Sequence, residues 1–167
     1  MRGTMKLSAI YAGAFLPLAY AAYILAVVIH EAVGHGLATI LIGGTLHGVV
    51  VRWDGMGYAS TSLPPDCSPV LQMLQLAAGS LATIAVGVPV FLLGLRVPTK
   101  SCWKLPLVVT GTIIALEGLP YLFFNSLFPR LPCDFGRIFM IWQSLFPGQA
   151  AGRAIMIVLG EIGRAHV

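Results

Sequence analysis

Charge is what this chain lacks. Acidic residues number 6 and basic residues 10 in 167, so only 10% of the sequence is charged, where a soluble domain carries about 25%. So few charges cannot cover a water-facing surface. With 57% hydrophobic residues and a mean hydropathy of +0.88, the chain calls for lipid around it. The net charge of +4 comes from basic residues between apolar runs rather than from a patch, which argues against nucleic acid as a partner. Cysteine is scarce too. Cys67, Cys102 and Cys133 form no CxxC pair and no even-numbered framework, so no disulfide scaffold is expected. Cys133 stands beside Asp134 and is a minor candidate ligand; a buried, inert thiol is the better expectation. Internal repeats and low-complexity tracts are absent.

What the chain has in quantity is long apolar runs. A membrane span needs about 20 mostly apolar residues. Residues 7–42 exceed that length, with Pro17 marking a kink or the true start and Gly43-Gly44 ending the run. Residues 45–61 are the β-like piece: Val49, Val50, Val51, Trp53 and Tyr58 favour strands, and Asp54-Gly55 offers a turn. A second span is expected over 69–95, with small residues at Ala77-Ala78-Gly79-Ser80 that let backbones approach closely. A third is expected over 105–128, interrupted by Gly118 and Pro120, and a fourth apolar segment over 134–146. The reading is an all-α membrane protein: a small, multi-pass bundle of about four transmembrane helices with a short β-hairpin after the first. Trp53, Trp103 and Trp142 are expected as interfacial anchors.

Both ends carry expectations of their own. Arg2 and Lys6 precede an apolar run that continues far past a signal-peptide core, so the run is read as a retained helix. If each run spans once, these residues share a side with Arg96, Lys100 and Lys104, which places the N-terminus in the cytoplasm. At the other end, Glu-Ile-Gly-Arg-Ala-His-Val can be spelled GAG ATC GGA AGA GCA CAC GTC, which contains the start of a common sequencing adapter. Residues 161–167 are therefore expected to be read-through, with a single natural domain over 1–160 that continues beyond the new apolar run at 154–159. Genomic sequence coding the same seven residues would remove that hypothesis. Glu161 and His166 are excluded as site residues on this ground.

The chemistry sits in the first run, at His30-Glu31-Ala32-Val33-Gly34-His35. Ionisable residues inside a span are costly and are functional suspects. Two neutral imidazoles bind a metal and a carboxylate takes a proton from water, which is what a hydrolytic zinc site needs. The familiar motif places its histidines at i and i+4; here they are at i and i+5. In a regular α-helix that spacing leaves them about 140° apart around the axis. A π-bulge absorbs one residue and restores a common face, and Gly34 eases the distortion. An alternative pairs Glu31 with His35, which are at i and i+4. A buried polar pair that serves only packing is the plainer reading. Zinc needs a further protein ligand, and the carboxylates on offer are Asp54, Asp66, Glu117 and Asp134. Asp134 is preferred because it opens an apolar segment beside a proline-rich break. Glu117 is either a partner of a ligand histidine or a packed neutral carboxyl. Gln72 and Gln75 are expected to bond between helices, and His47 to be exposed.

Val28-Ile29-His30-Glu31-Ala32-Val33-Gly34-His35-Gly36-Leu37-Ala38 resembles the active-site helix of site-2 protease-type intramembrane metalloproteases. Gly43-Gly44 and the β segment are similar to the stretch after that helix in the family, and Ala78-Gly79-Ser80-Leu81-Ala82 looks like its small-residue second helix. The stretch from Asn125-Ser126-Leu127-Phe128-Pro129 to Cys133-Asp134-Phe135-Gly136-Arg137 resembles the family's N-x-x-P…L-D-G signature. The resemblance runs from about Ala26 to Phe139. It implies that His30, His35 and Asp134 bind zinc, that Glu31 is the general base, and that Asn125 holds the substrate backbone or the oxyanion. The sequence departs from the pattern at three points: the extra residue between the histidines, an extra residue between Asn125 and Pro129, and Phe135 where the family has glycine. Some relatives place the start of the active-site helix outside the cytoplasm, against the charge distribution here, so orientation stays open.

The leading expectation is a zinc-dependent endopeptidase acting on a transmembrane protein or peptide in or near the membrane, with lipid around it. Two others stand beside it. One is an inactive protease-like protein that binds membrane partners. The other is a proton or metal transporter using His30, Glu31 and Glu117 as a relay; the absence of paired broken helices speaks against it.

Overall fold

The structure, a computed structural model, describes residues 2–127 and 134–146, with side chains described for 13–119, 134 and 136–146. The expectations placed on Cys133 and on residues 147–167 lie outside the described residues, as do the side chains of Asn125 and Phe135.

The element order is α1 (Arg2–Val28), a π-helical segment (Ile29–Gly36), α2 (Leu37–Leu41), β1 (Thr45–Val51), β2 (Gly57–Ser62), α3 (Pro69–Arg96), α4 (Lys104–Leu127) and α5 (Asp134–Leu145). The first three run on as one rod with a change of winding. Pro17 lies inside α1 and does not start it; packed membrane helices tolerate such a proline because neighbours and local adjustments satisfy the freed backbone group. Two helical stretches, Gly13–Leu41 and Pro69–Arg96, are long and apolar enough to cross a membrane. Gly118 and Pro120 do not interrupt α4, which continues through both. Gly118 instead permits a close crossing: a Cβ there would lie 2.6 Å from the Ser80 carbonyl oxygen of α3. The expected fourth span is, in the described residues, the 12-residue α5, about 18 Å long at 1.5 Å per residue and short of a hydrocarbon core of about 30 Å.

The hairpin forms as the strand-favouring residues dictate. β1 and β2 pair antiparallel, Val49 opposite Ala59 and Val50 opposite Tyr58, with an irregularity between Leu46 and Gly48. Gly55 turns the chain with φ of +82°, a value open to glycine at little cost. Tyr20 and Tyr23 of α1 donate hydrogen bonds to the Trp53 and Gly55 carbonyls. The tip of the hairpin is thus tied to the helix that carries the His-Glu motif.

The helices meet through small residues. Ala26, Ile29 and Ile114 form the buried apolar cluster, with Ala82 packed against it. At the crossing of α3 and the π-helical segment, a Cβ on Gly34 would lie 2.7 Å from Gly79 N and 2.8 Å from Ala78 O. Those neighbours are backbone and cannot rotate away. Gly34→Ala is therefore expected to cost at least about 1–3 kcal/mol, the usual range for overpacking. Thermal unfolding of the detergent-purified protein would read it, and an unchanged melting temperature would contradict the crossing.

Candidate metal centre

The extra residue between the histidines is absorbed by winding. Residues Ile29–Gly36 are π-helical, and the Leu37 N–H bonds to the Ala32 carbonyl five residues back. With hydrogen bonds to i+5 in place of i+4, residues five apart come to share a face. His30 and His35 accordingly sit together, ring centroids 4.9 Å apart and edge-on at 68°. Both are buried, at 3% and 6% exposure. A π turn is rare and inferior in local energy; here the two imidazoles and the tight Gly34–Gly79 crossing lie along it.

Each ring is oriented through Nδ1. The His35 Nδ1–H donates to the Gln75 carbonyl oxygen at 2.9 Å. That oxygen can only accept, so Nδ1 carries a proton and Nε2 is the nitrogen left for the cluster. Gln75 is held in turn, its side-chain amide donating to Thr39 Oγ1 at 3.1 Å. Thr39, fully buried, donates to the His35 carbonyl at 2.7 Å. The His30 Nδ1–H donates to the Glu117 carboxylate, 3.1 Å from each oxygen.

The Nε2 atoms then face Asp134. Its Oδ2 lies 3.1 Å from His35 Nε2 and 3.6 Å from His30 Nε2. One potential ligand atom from each of His30, His35 and Asp134 falls within 4.8 Å of the others. With both Nδ1 protons committed, two Nε2 atoms and a carboxylate converge; with neutral rings these are three acceptors, which repel unless a proton or cation lies among them. The two distances to Asp134 are close to those of a zinc site. Zn–N and Zn–O bonds of about 2.0–2.2 Å in a tetrahedral site put neighbouring ligand atoms about 3.3–3.6 Å apart. Space for the cluster comes from Gly79, where a Cβ would collide with His30 Nε2 and lie 2.6 Å from His35 Nε2.

Glu31 stands apart from these three. It is half-buried and lines a cavity of about 280 Å³ together with His35, Asp134, Ala59, Gln75 and Arg137. The alternative in which Glu31 and His35 act as the ligand pair is not the grouping seen; Asp134 takes that place. Asp54 is engaged with Arg52 at 2.6 Å on the hairpin. His47 is exposed and bonds to Ser62 at 2.7 Å.

Of the two glutamines, Gln75 does bond between helices, while Gln72 donates to the nearby Cys67 carbonyl at 2.9 Å. Sequence reasoning did not find the Gln75 carbonyl, Thr39 or the specific role of Gly79. A backbone carbonyl carries no residue signature. The small-residue run around Gly79 was visible, but not the histidines it would face.

The family model described as Peptidase M50B-like matches residues 5–161. Neither a curated protein nor a solved structure matches the chain.

Proposed function

The chain belongs to the Peptidase M50B-like family, and on that premise we propose that it is a zinc-dependent endopeptidase cutting peptide bonds in or beside the membrane. The observation that carries the reading is the convergence of His30 Nε2, His35 Nε2 and Asp134 Oδ2, each ring held by an acceptor behind it. These three residues would hold the metal, which when bound supplies Lewis acidity to a scissile carbonyl and to the attacking water. Glu31, on the cavity side of the cluster, accepts the water's proton and returns it to the leaving amine. Asn125 is assigned to the substrate backbone or the oxyanion by its place in the motif.

A helical substrate hides its carbonyls in hydrogen bonds, so it has to be unwound locally. β2 borders the cavity and among the described residues pairs with β1 alone; an extended segment lying along its other edge would find backbone partners there. α4, whose 24 residues give about 36 Å of helix, is read as a third span beside the two already apolar and long enough. The multi-pass arrangement rests on that reading.

The test is bound zinc per chain in the detergent-purified protein, alongside His35→Ala and Asp134→Ala. Near-stoichiometric zinc in the parent and its loss in both variants is the expected result. A folded parent that takes up no zinc would remove the hydrolase mechanism and favour a partner-binding role.

A further inference from the structure

Glu117 has a place that the hydrolytic scheme does not use. It lies on α4, 87 positions from His30 in the chain. Its side chain is 9% exposed, inside a helix packed against α1 and α3. A carboxylate there is expensive unless something compensates it. Both of its oxygens lie 3.1 Å from His30 Nδ1, so the two lone-pair faces bracket one N–H.

We infer that Glu117 is the positioning residue for the metal centre: it fixes the His30 tautomer and ring plane so that Nε2 is delivered to the ion. The inference rests on the reading of His30, His35 and Asp134 as ligands.

Three observations support it. First, the two histidines are held by different means. His35 is braced by a carbonyl of α3 and, through Thr39 and Gln75, by its own helix. For His30 the brace from behind its ring is a charged group on another helix. Second, the brace is at Nδ1, whereas Asp134 lies 3.6 Å from Nε2, the other ring nitrogen. Glu117, imidazole and ion site are thus in series. A carboxylate behind an imidazole raises its basicity as a ligand, and losing such a partner typically weakens metal binding about 10- to 100-fold. Third, Asp134 and Glu117 put two carboxylates on either side of one ring in a low-dielectric interior. A cation beside Nε2 lies within reach of the first carboxyl group directly and of the second through the ring, which ties α4 to the site.

The test uses the full chain in detergent, stripped of metal, titrated with Co²⁺ while its visible absorption is followed, with Zn²⁺ affinity read by competition against a chelator. Parent, Glu117→Gln and Glu117→Leu are compared, and apo thermal stability is measured for each. Leu is expected to weaken Zn²⁺ binding about 10- to 100-fold and to alter the Co²⁺ spectrum. Gln, which keeps an acceptor but not the charge, is expected to fall between Leu and the parent. A purely structural role would lower apo stability and leave affinity and spectrum as in the parent; that result overturns the inference. Should Glu117→Leu not fold, Glu117→Gln decides: affinity within twofold of the parent overturns the inference, a larger loss upholds it. A folded parent that binds neither ion overturns the inference together with the metal reading, so the two failures are told apart.

Discussion

Replacing Glu31 with glutamine is expected to remove peptide hydrolysis while leaving the metal in place. Glutamine keeps the size and shape of the side chain, so its place on the cavity wall beside β2 is kept. The loss is of a basic oxygen on the cavity wall beside His35 and Asp134. General-base assistance contributes about 10²- to 10⁴-fold to a rate, and a drop of that order in the cleavage of a membrane-embedded reporter is the expected reading. Zinc per chain is expected to stay at the parent level, because Glu31 is not among the three converging residues. Undiminished cleavage by Glu31→Gln would take the base assignment away from this residue. Lost cleavage with lost zinc would make Glu31 part of the ligand set instead.

A single methyl group at position 79 is expected to do comparable damage from the other side. A Cβ on Gly79 would overlap His30 Nε2 and stand 2.6 Å from both His30 Cδ2 and His35 Nε2. A ring can normally swing away from such an intrusion. Here each is tethered through Nδ1, to Glu117 and to the Gln75 carbonyl, so moving either ring breaks a buried hydrogen bond. Gly79→Ala is therefore expected to lower zinc affinity by at least the roughly 10- to 100-fold that losing an outer contact costs. Misplaced ligands also cost rate, by about 10²-fold for a displacement near 1 Å. Zinc titration of the apo protein reads the first effect and reporter cleavage the second. Parent-like zinc binding by Gly79→Ala would mean that α3 does not press against the histidines.

Part of this was legible in the sequence. The scarcity of charge announced the membrane, and the valines at 49–51 with Asp54-Gly55 announced the hairpin. His30 and His35 could share a face only with a local change of winding, and that change is present. Local spacing and composition carry such information because they act within a few residues. Asp134 was preferred for its place at the start of an apolar segment beside a proline-rich break, and a resemblance pointed to it as well; 99 positions separate it from His35 and no periodicity links them. Glu117 was recognised as either a histidine's partner or a packed acid, and only the contact between the π-helical segment and α4 decides between these. Gly118 and Pro120 were read as a break because both disfavour helices in water; within packed membrane helices the same residues serve close crossing and are tolerated.

The π-helical segment bears on how such a chain tolerates change in length. One residue added to an α-helix rotates everything after it by about 100°. Here α2, the hairpin and the wall of the cavity all come after the histidines, and such a rotation would carry them off the site. The wide turns take up the additional residue between Ile29 and Gly36, where Val33 is half-exposed. The quantity held constant is the angle at which two imidazoles arrive, not the number of residues between them. The centre is thus buffered against an insertion at its most sensitive point, and the cost is confined to eight residues of irregular helix.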